Sequence, residues 1–130
     1  MSVELIHEWV SKAEQDWQAA IQLFAWNAEA VPDVIAFHAQ QTAEKYLKAL
    51  LIQIGVEPPP THDLGQLVDL LTVHCPEANI MREDAESLTP FAVRFRYPRL
   101  STTADRACKL IEQARRIRAF VRRQLGLAEE

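Results

Sequence analysis

Apolar residues recur every three or four positions along most of the chain, the period of an amphipathic α-helix. From about Val3 to Ala28 the stripe is Leu5, Trp9, Ala13, Trp17, Ala20 and Phe24. Pro32 interrupts it, and Asp33 is placed to cap a second helix that runs to about Ile54. The inward face of that helix reads Ala36, Ala39, Ala43, Leu47, Leu50 and Ile54, with Glu44, Lys45 and Lys48 outward. Its small residues let a neighbouring helix approach closely. Gly55 reads as the stop, and Pro58-Pro59-Pro60 as a stiff extended connector. A shorter helix follows from about Asp63 to His74, with Leu64, Leu67, Val68 and Leu71 inward, Thr61 or Asp63 as cap and Pro76 as terminator. A fourth segment, roughly Met81 to Phe95, carries Ala85, Leu88, Phe91, Ala92 and Phe95, and Pro90 either kinks or restarts it. Pro98 closes it. Ser101 or Thr102 caps the last helix, whose apolar face is Ala107, Leu110, Ile111, Ala114, Ile117 and Val121. There is no alternating strand pattern and no repeat. The expected fold is all-α, an antiparallel up-and-down helical bundle of four main helices plus a short extra one, in a single domain over residues 1–130.

Composition agrees. With 48% apolar and 25% charged residues and only three glycines, the chain resembles a soluble, helix-rich domain. Its length suffices for a core without covalent staples, and Cys75 and Cys108 imply no disulfide framework. No apolar run approaches the roughly 20 residues that span a bilayer, and the first residues lack a basic region followed by an apolar one. The expectation is a cytoplasmic protein that does not engage membranes. His7, His38 and His74 have neither mutual helical spacing nor cysteine partners, so no metal site and no cofactor are expected.

Charge changes the picture. Up to Pro90, four bases face fourteen acids; from Phe91 to Arg123, ten bases face two acids. A chain of net charge −4 thus has a strongly basic last quarter, suited either to a phosphate-bearing partner or to an intramolecular match with its acidic first part. The joint before the last helix, Thr89-Pro90-Phe91-Ala92-Val93-Arg94-Phe95-Arg96-Tyr97-Pro98-Arg99, concentrates three arginines and a tyrosine.

Three motifs in order carry a family resemblance: Phe37-His38-Ala39-Gln40-Gln41-Thr42-Ala43-Glu44-Lys45-Tyr46-Leu47-Lys48-Ala49-Leu50-Leu51, Thr61-His62-Asp63-Leu64, and Arg96-Tyr97-Pro98. Together they resemble the second helix, interhelical motif and pre-final segment of the HEPN family, over nearly the whole chain. The resemblance implies a helical bundle that usually dimerises and binds nucleotide or RNA. It often implies a minimal nucleotidyltransferase as partner, in a toxin–antitoxin-like pair. Many members are ribonucleases, with an arginine followed four to six residues later by a histidine at the last-helix junction. Here Arg94, Arg96 and Arg99 are followed by no histidine; the last in the chain is His74. Acid–base chemistry needs a group that titrates near neutrality, which arginine does not. Unless His62 or Tyr97 substitutes, the motif lacks its proton carrier, and no catalytic residue is assigned.

The candidate phosphate ligands are Arg94, Arg96, Tyr97, His62, Lys45 and Lys48. Guanidinium forks match phosphate oxygens, and Tyr97 offers a ring for stacking. Against this, the arginines can pair with the acids of the first ninety residues, His62 can serve a helix cap, and Lys45 and Lys48 can form a solvated face beside Glu44. On the last helix Lys109, Arg116 and Arg123 recur every seven residues along one flank, with Arg115, Arg118 and Arg122 along the other. Three functions therefore stand: a phosphate-binding domain, a metal-independent ribonuclease with an atypical base, and a helical docking subunit without a ligand. Trp26, Ile35, His38, Tyr46 and Ala49, off the inferred core stripe, form the expected homodimer surface.

Overall fold

The computed structural model describes residues 2–94 and 97–129; the expectations placed on Phe95 and Arg96 lie outside them. Five α-helices follow in order: α1 Val3–Asn27, α2 Pro32–Gln53, α3 Leu64–His74, α4 Arg82–Leu88 and α5 Ala104–Gln124. Short 3₁₀ turns at Pro76–Met81 and Thr89–Ala92 flank α4. Among the described residues there is no strand, and the fold is the expected all-α bundle. The fourth segment is not one helix: Pro76 opens one 3₁₀ turn and Pro90 stands second in the other, each lacking an N–H, which leaves only seven residues of α-helix between the turns. No helix is long and apolar enough to cross a membrane among the described residues.

α2 is the central element. Fourteen of its 22 residues are buried, as expected of a helix covered on all sides. This overturns two expectations. Glu44 and Lys48 do not face outward but are buried, and Lys45 is half-buried. Ile35, Tyr46 and Ala49 have no exposed surface within the single chain, so they form no dimer face; of that group Trp26 alone is well exposed, at 68%. The α1 stripe also shifts. Ile6, Ala13, Trp17 and Ala20 are buried, whereas Leu5 is exposed and the acid Asp16 takes an interior place.

The caps differ in detail. Pro32 opens α2 after Val31, while Asp33 accepts the Thr102 N–H at 2.7 Å and thereby ties the start of α5 to the start of α2. Asp63 caps α3, and Thr103, not Ser101 or Thr102, caps α5. Gly55, at φ 84°, ends α2.

Contacts give the helix directions. Ile6 packs near Ala49 and Ile52 while Asp16 meets His38, so α1 and α2 are antiparallel. Asp33 meets Thr102 and Tyr46 meets Arg122, so α2 and α5 are parallel. The connector resolves this topology. His62 lies beside Gln40 and Glu44, so residues 54–62 return alongside α2 over about 20 Å. An extended chain of that length covers the distance easily, and the triple proline keeps it extended.

Candidate functional site

Two polar features stand out around α2 and the basic joint. The first is centred on Glu44, whose side chain is 6% exposed. Oε1 accepts from His62 Nδ1 at 2.9 Å and Gln40 Nε2 at 3.1 Å, with Gln41 Nε2 at 3.5 Å; Oε2 accepts from Lys48 Nζ at 3.0 Å. Gln40, Glu44 and Lys48 are spaced four apart on one helix face, which is why they meet. Burial alone would raise the Glu44 pKa, but the hydrogen bonds from His62, Gln40 and Lys48 and the Lys48 charge hold it below its ordinary value. Glu44 is therefore a carboxylate. Because a carboxylate only accepts, His62 Nδ1 carries a proton and Nε2 is the remaining ring nitrogen. The His62 side chain is 61% exposed. Lys48 also lies over the Trp9 ring, 5.6 Å from its centroid.

Lys45 is likewise matched: Nζ lies 2.5 Å from Asp16 Oδ2, and His38 Nδ1 2.7 Å from Oδ1 of the same carboxylate. Burial opposes ionisation of Asp16, yet His38 and Lys45 keep its pKa low. A third buried cluster joins three helices. Arg118 chelates Glu14 at 2.7 and 3.0 Å, Tyr46 donates to Glu14, and Arg122 Nη1 donates to the Tyr46 hydroxyl at 2.8 Å. Burial and the Glu14 carboxylate push the Tyr46 phenol up to about 12.

The second feature is the basic joint. Much of the last quarter does find intramolecular partners: Arg115 with Glu112, Arg116 with Asp84, Arg118 and Arg122 with Glu14, and Arg123 with Glu129. Four bases do not. Among the described residues, Arg94, Arg99, Arg106 and Lys109 have no carboxylate at ion-pair distance. Arg94 and Arg106 converge on one buried ring, with guanidinium carbons 5.3 and 5.8 Å from the Phe91 centroid. Trp17 also holds two arginines, Arg115 and Arg118, but each of those has its carboxylate. Two guanidinium groups gathered on Phe91 without a counter-charge make an anion-attracting surface. Tyr97, 54% exposed, flanks it in sequence.

The sequence-expected residues thus divide. Arg94 and Tyr97 belong to the basic joint, and Arg96 lies outside the described residues. His62 and Lys48 share the Glu44 cluster, while Lys45 belongs to Asp16. Pattern reasoning missed Glu44 as organiser and Phe91 with Arg106 as platform. The spacing of Gln40, Glu44 and Lys48 was a usable signal for the former; the Phe91–Arg106 contact spans the joint and had none. Among the described residues no group of three His, Cys, Asp or Glu side chains is arranged to hold a metal ion.

Comparison with known proteins supplies the family. The model of the HEPN domain matches residues 6–124. The chain belongs to the HEPN family. The crystal structure of TT1696 from Thermus thermophilus superposes with a TM-score of 0.73 at 24% identity, covering 92% of this chain and 97% of that one; that likeness concerns the fold. No curated protein matches the chain. HEPN membership supports a nucleotide- or RNA-related function.

Proposed function

We propose that this HEPN domain binds the phosphates of a nucleotide or of RNA at the joint between the Thr89–Ala92 turn and α5, through Arg94 and Arg106, with Arg99, Lys109 and Tyr97 beside them. The observation that carries the reading is the pair of guanidinium groups on Phe91 with no carboxylate partner. Arginine forks suit phosphate oxygens, and an exposed tyrosine suits a base face. Arg96 joins this set on sequence alone. Lys45 and Lys48 drop out as primary ligands because buried acids already hold their charges. A homodimer and a minimal nucleotidyltransferase partner, as the family resemblance implies, belong to the same reading; co-expression and co-purification test them.

The test is a thermal-shift titration with ATP, GTP and a short RNA at low and moderate salt. Ligand at 100 times its dissociation constant stabilises the native state by about 2.7 kcal/mol. Replacing Arg94 with Ala removes a charge-assisted contact worth roughly 1.5–3 kcal/mol, a tenfold to hundredfold loss of affinity. No shift with any ligand rejects the reading and leaves the docking subunit ahead.

One observation favours cleavage as a second reading. His62 is an exposed imidazole held by a buried carboxylate through Nδ1, an arrangement that leaves Nε2 available to take a proton from a ribose 2′-hydroxyl. In that case His62→Asn abolishes RNA cleavage while RNA binding persists; absence of cleavage by the unmodified protein rejects it.

A further inference from the structure

α5 ends in a turn of the Schellman type. Gly126 takes φ 76°, its N–H bonds the Arg123 carbonyl at 3.1 Å, and the Leu127 N–H bonds the Arg122 carbonyl at 2.8 Å. The turn sends the chain back along the helix it has just left. The next residues then meet three arginines. Arg122 Nε donates to the Ala128 carbonyl, Arg118 Nη1 donates to the Glu129 carbonyl at 2.7 Å, and Arg123 donates to the Glu129 carboxylate at 3.1 and 3.4 Å. Between this segment, Glu14, Tyr46 and the Trp17 ring, the Arg118 and Arg122 side chains are only 7% and 14% exposed.

Arg118 and Arg122 share a single carboxylate, Glu14, and turn further donors to neutral carbonyls. Two of the three arginines meet neutral carbonyls of the returning segment, and hydrogen bonds to charged acceptors are roughly twice as strong as those between neutral groups. If the segment lifted away, Glu14 would be the one carboxylate left within ion-pair distance of these three arginines among the described residues, with Glu83 and the Arg116-paired Asp84 lining the cavity beside Arg123. Tyr46 adds a neutral hydroxyl. Such a surplus suits phosphate oxygens better than backbone carbonyls.

We propose that Arg118, Arg122 and Arg123 form a second anion site, made for the phosphodiester backbone of single-stranded RNA, which residues 127–129 cover until RNA displaces them. The identity of the anion rests on the phosphate-binding reading above; the existence of the covered site does not.

The experiment measures binding of a labelled oligouridylate by fluorescence anisotropy across a salt series. It compares the full chain, a chain ending at Gly126, and the full chain with Glu129→Gln and Glu130→Gln, each checked for native helicity and melting. Each phosphate contact on a single strand adds about 0.7 to the salt slope. Removing residues 127–130 is expected to tighten binding at least about tenfold and to steepen the slope by about 1.4–2, two to three contacts. Arg122→Met in the shortened chain should abolish the gain. The glutamine variant should bind less tightly than the shortened chain, because its carbonyls still cover Arg118 and Arg122. Equal binding by these two would mean that net charge alone is responsible, and would overturn the proposal. So would equal binding by the shortened and full chains. If the shortened chain with Arg94→Ala and Arg106→Ala still binds through Arg122, the second site stands while the joint fails. If those two substitutions abolish binding by the full and shortened chains alike, the joint stands and the second site fails.

Discussion

Replacing Glu44 by glutamine should destabilise the protein far more than an isosteric change would suggest. The four groups around the carboxylate all donate: His62 and Gln40 within 3.1 Å of Oε1, Gln41 at 3.5 Å, and Lys48 at 3.0 Å from Oε2. Glutamine supplies one acceptor oxygen. With that oxygen toward His62 and Gln40, its NH₂ group faces the Lys48 ammonium, donor against donor. Lys48, with 9% of its side chain exposed, then keeps its charge without a partner. Removing one member of a buried ion pair costs about 3–5 kcal/mol. The Trp9 ring near Lys48 argues for the lower end, about 3 kcal/mol. At about 2.1 cal/mol/K of unfolding entropy per residue, 130 residues convert this to a melting-temperature drop of roughly 11 °C. Urea unfolding and thermal melts measure both. Adding Lys48→Met should recover much of the loss, since an apolar side chain removes the stranded charge. A loss below about 1 kcal/mol for Glu44→Gln, or no recovery in the double variant, would refute the account of Glu44 as the charge-matching centre of this cluster.

Further outcomes follow from the same contacts. Glu14, Asp16 and Glu44 all have folded pKa values below their ordinary ones. Their contribution is therefore full above the unfolded carboxylate range and lost as pH falls through the folded values, so acid melts should show a steep loss of stability below about pH 4. Tyr46 has the opposite sign. Its phenol, raised from 10.0 to about 12, contributes below the unfolded value and ceases to do so as pH rises through that window; Tyr46→Phe should flatten this alkaline loss. Gly55 and Gly126 have positive φ, and a methyl group at either Cα would meet only open space, so alanine at either should cost only backbone strain, about 1 kcal/mol by denaturant titration.

Much of the fold was legible in the chain before any contact was known. The three-and-four spacing of apolar residues marks every main helix, and Pro32, Gly55, Pro76 and Pro98 punctuate them, because helix period and helix breakers act locally. The motifs around Gln40–Lys48, Thr61–Leu64 and Arg96–Pro98 carried the family as well. The sequence also showed that acids precede Pro90 and bases follow it. Which acid meets which base is another matter. Glu14 and Arg118, 104 positions apart, meet because α1 and α5 pack antiparallel. Lys45 and Lys48 look like solvent-facing lysines until α1 packs against them, bringing Asp16 to Lys45 and the Trp9 ring to Lys48. Arg94 is a phosphate candidate from the sequence, but Arg106 joins it only when Phe91 brings the two together without a carboxylate. Local sequence sets which segments become helices; tertiary packing decides which charges are desolvated, which are neutralised and which remain available to a ligand, since those depend on neighbours distant along the chain.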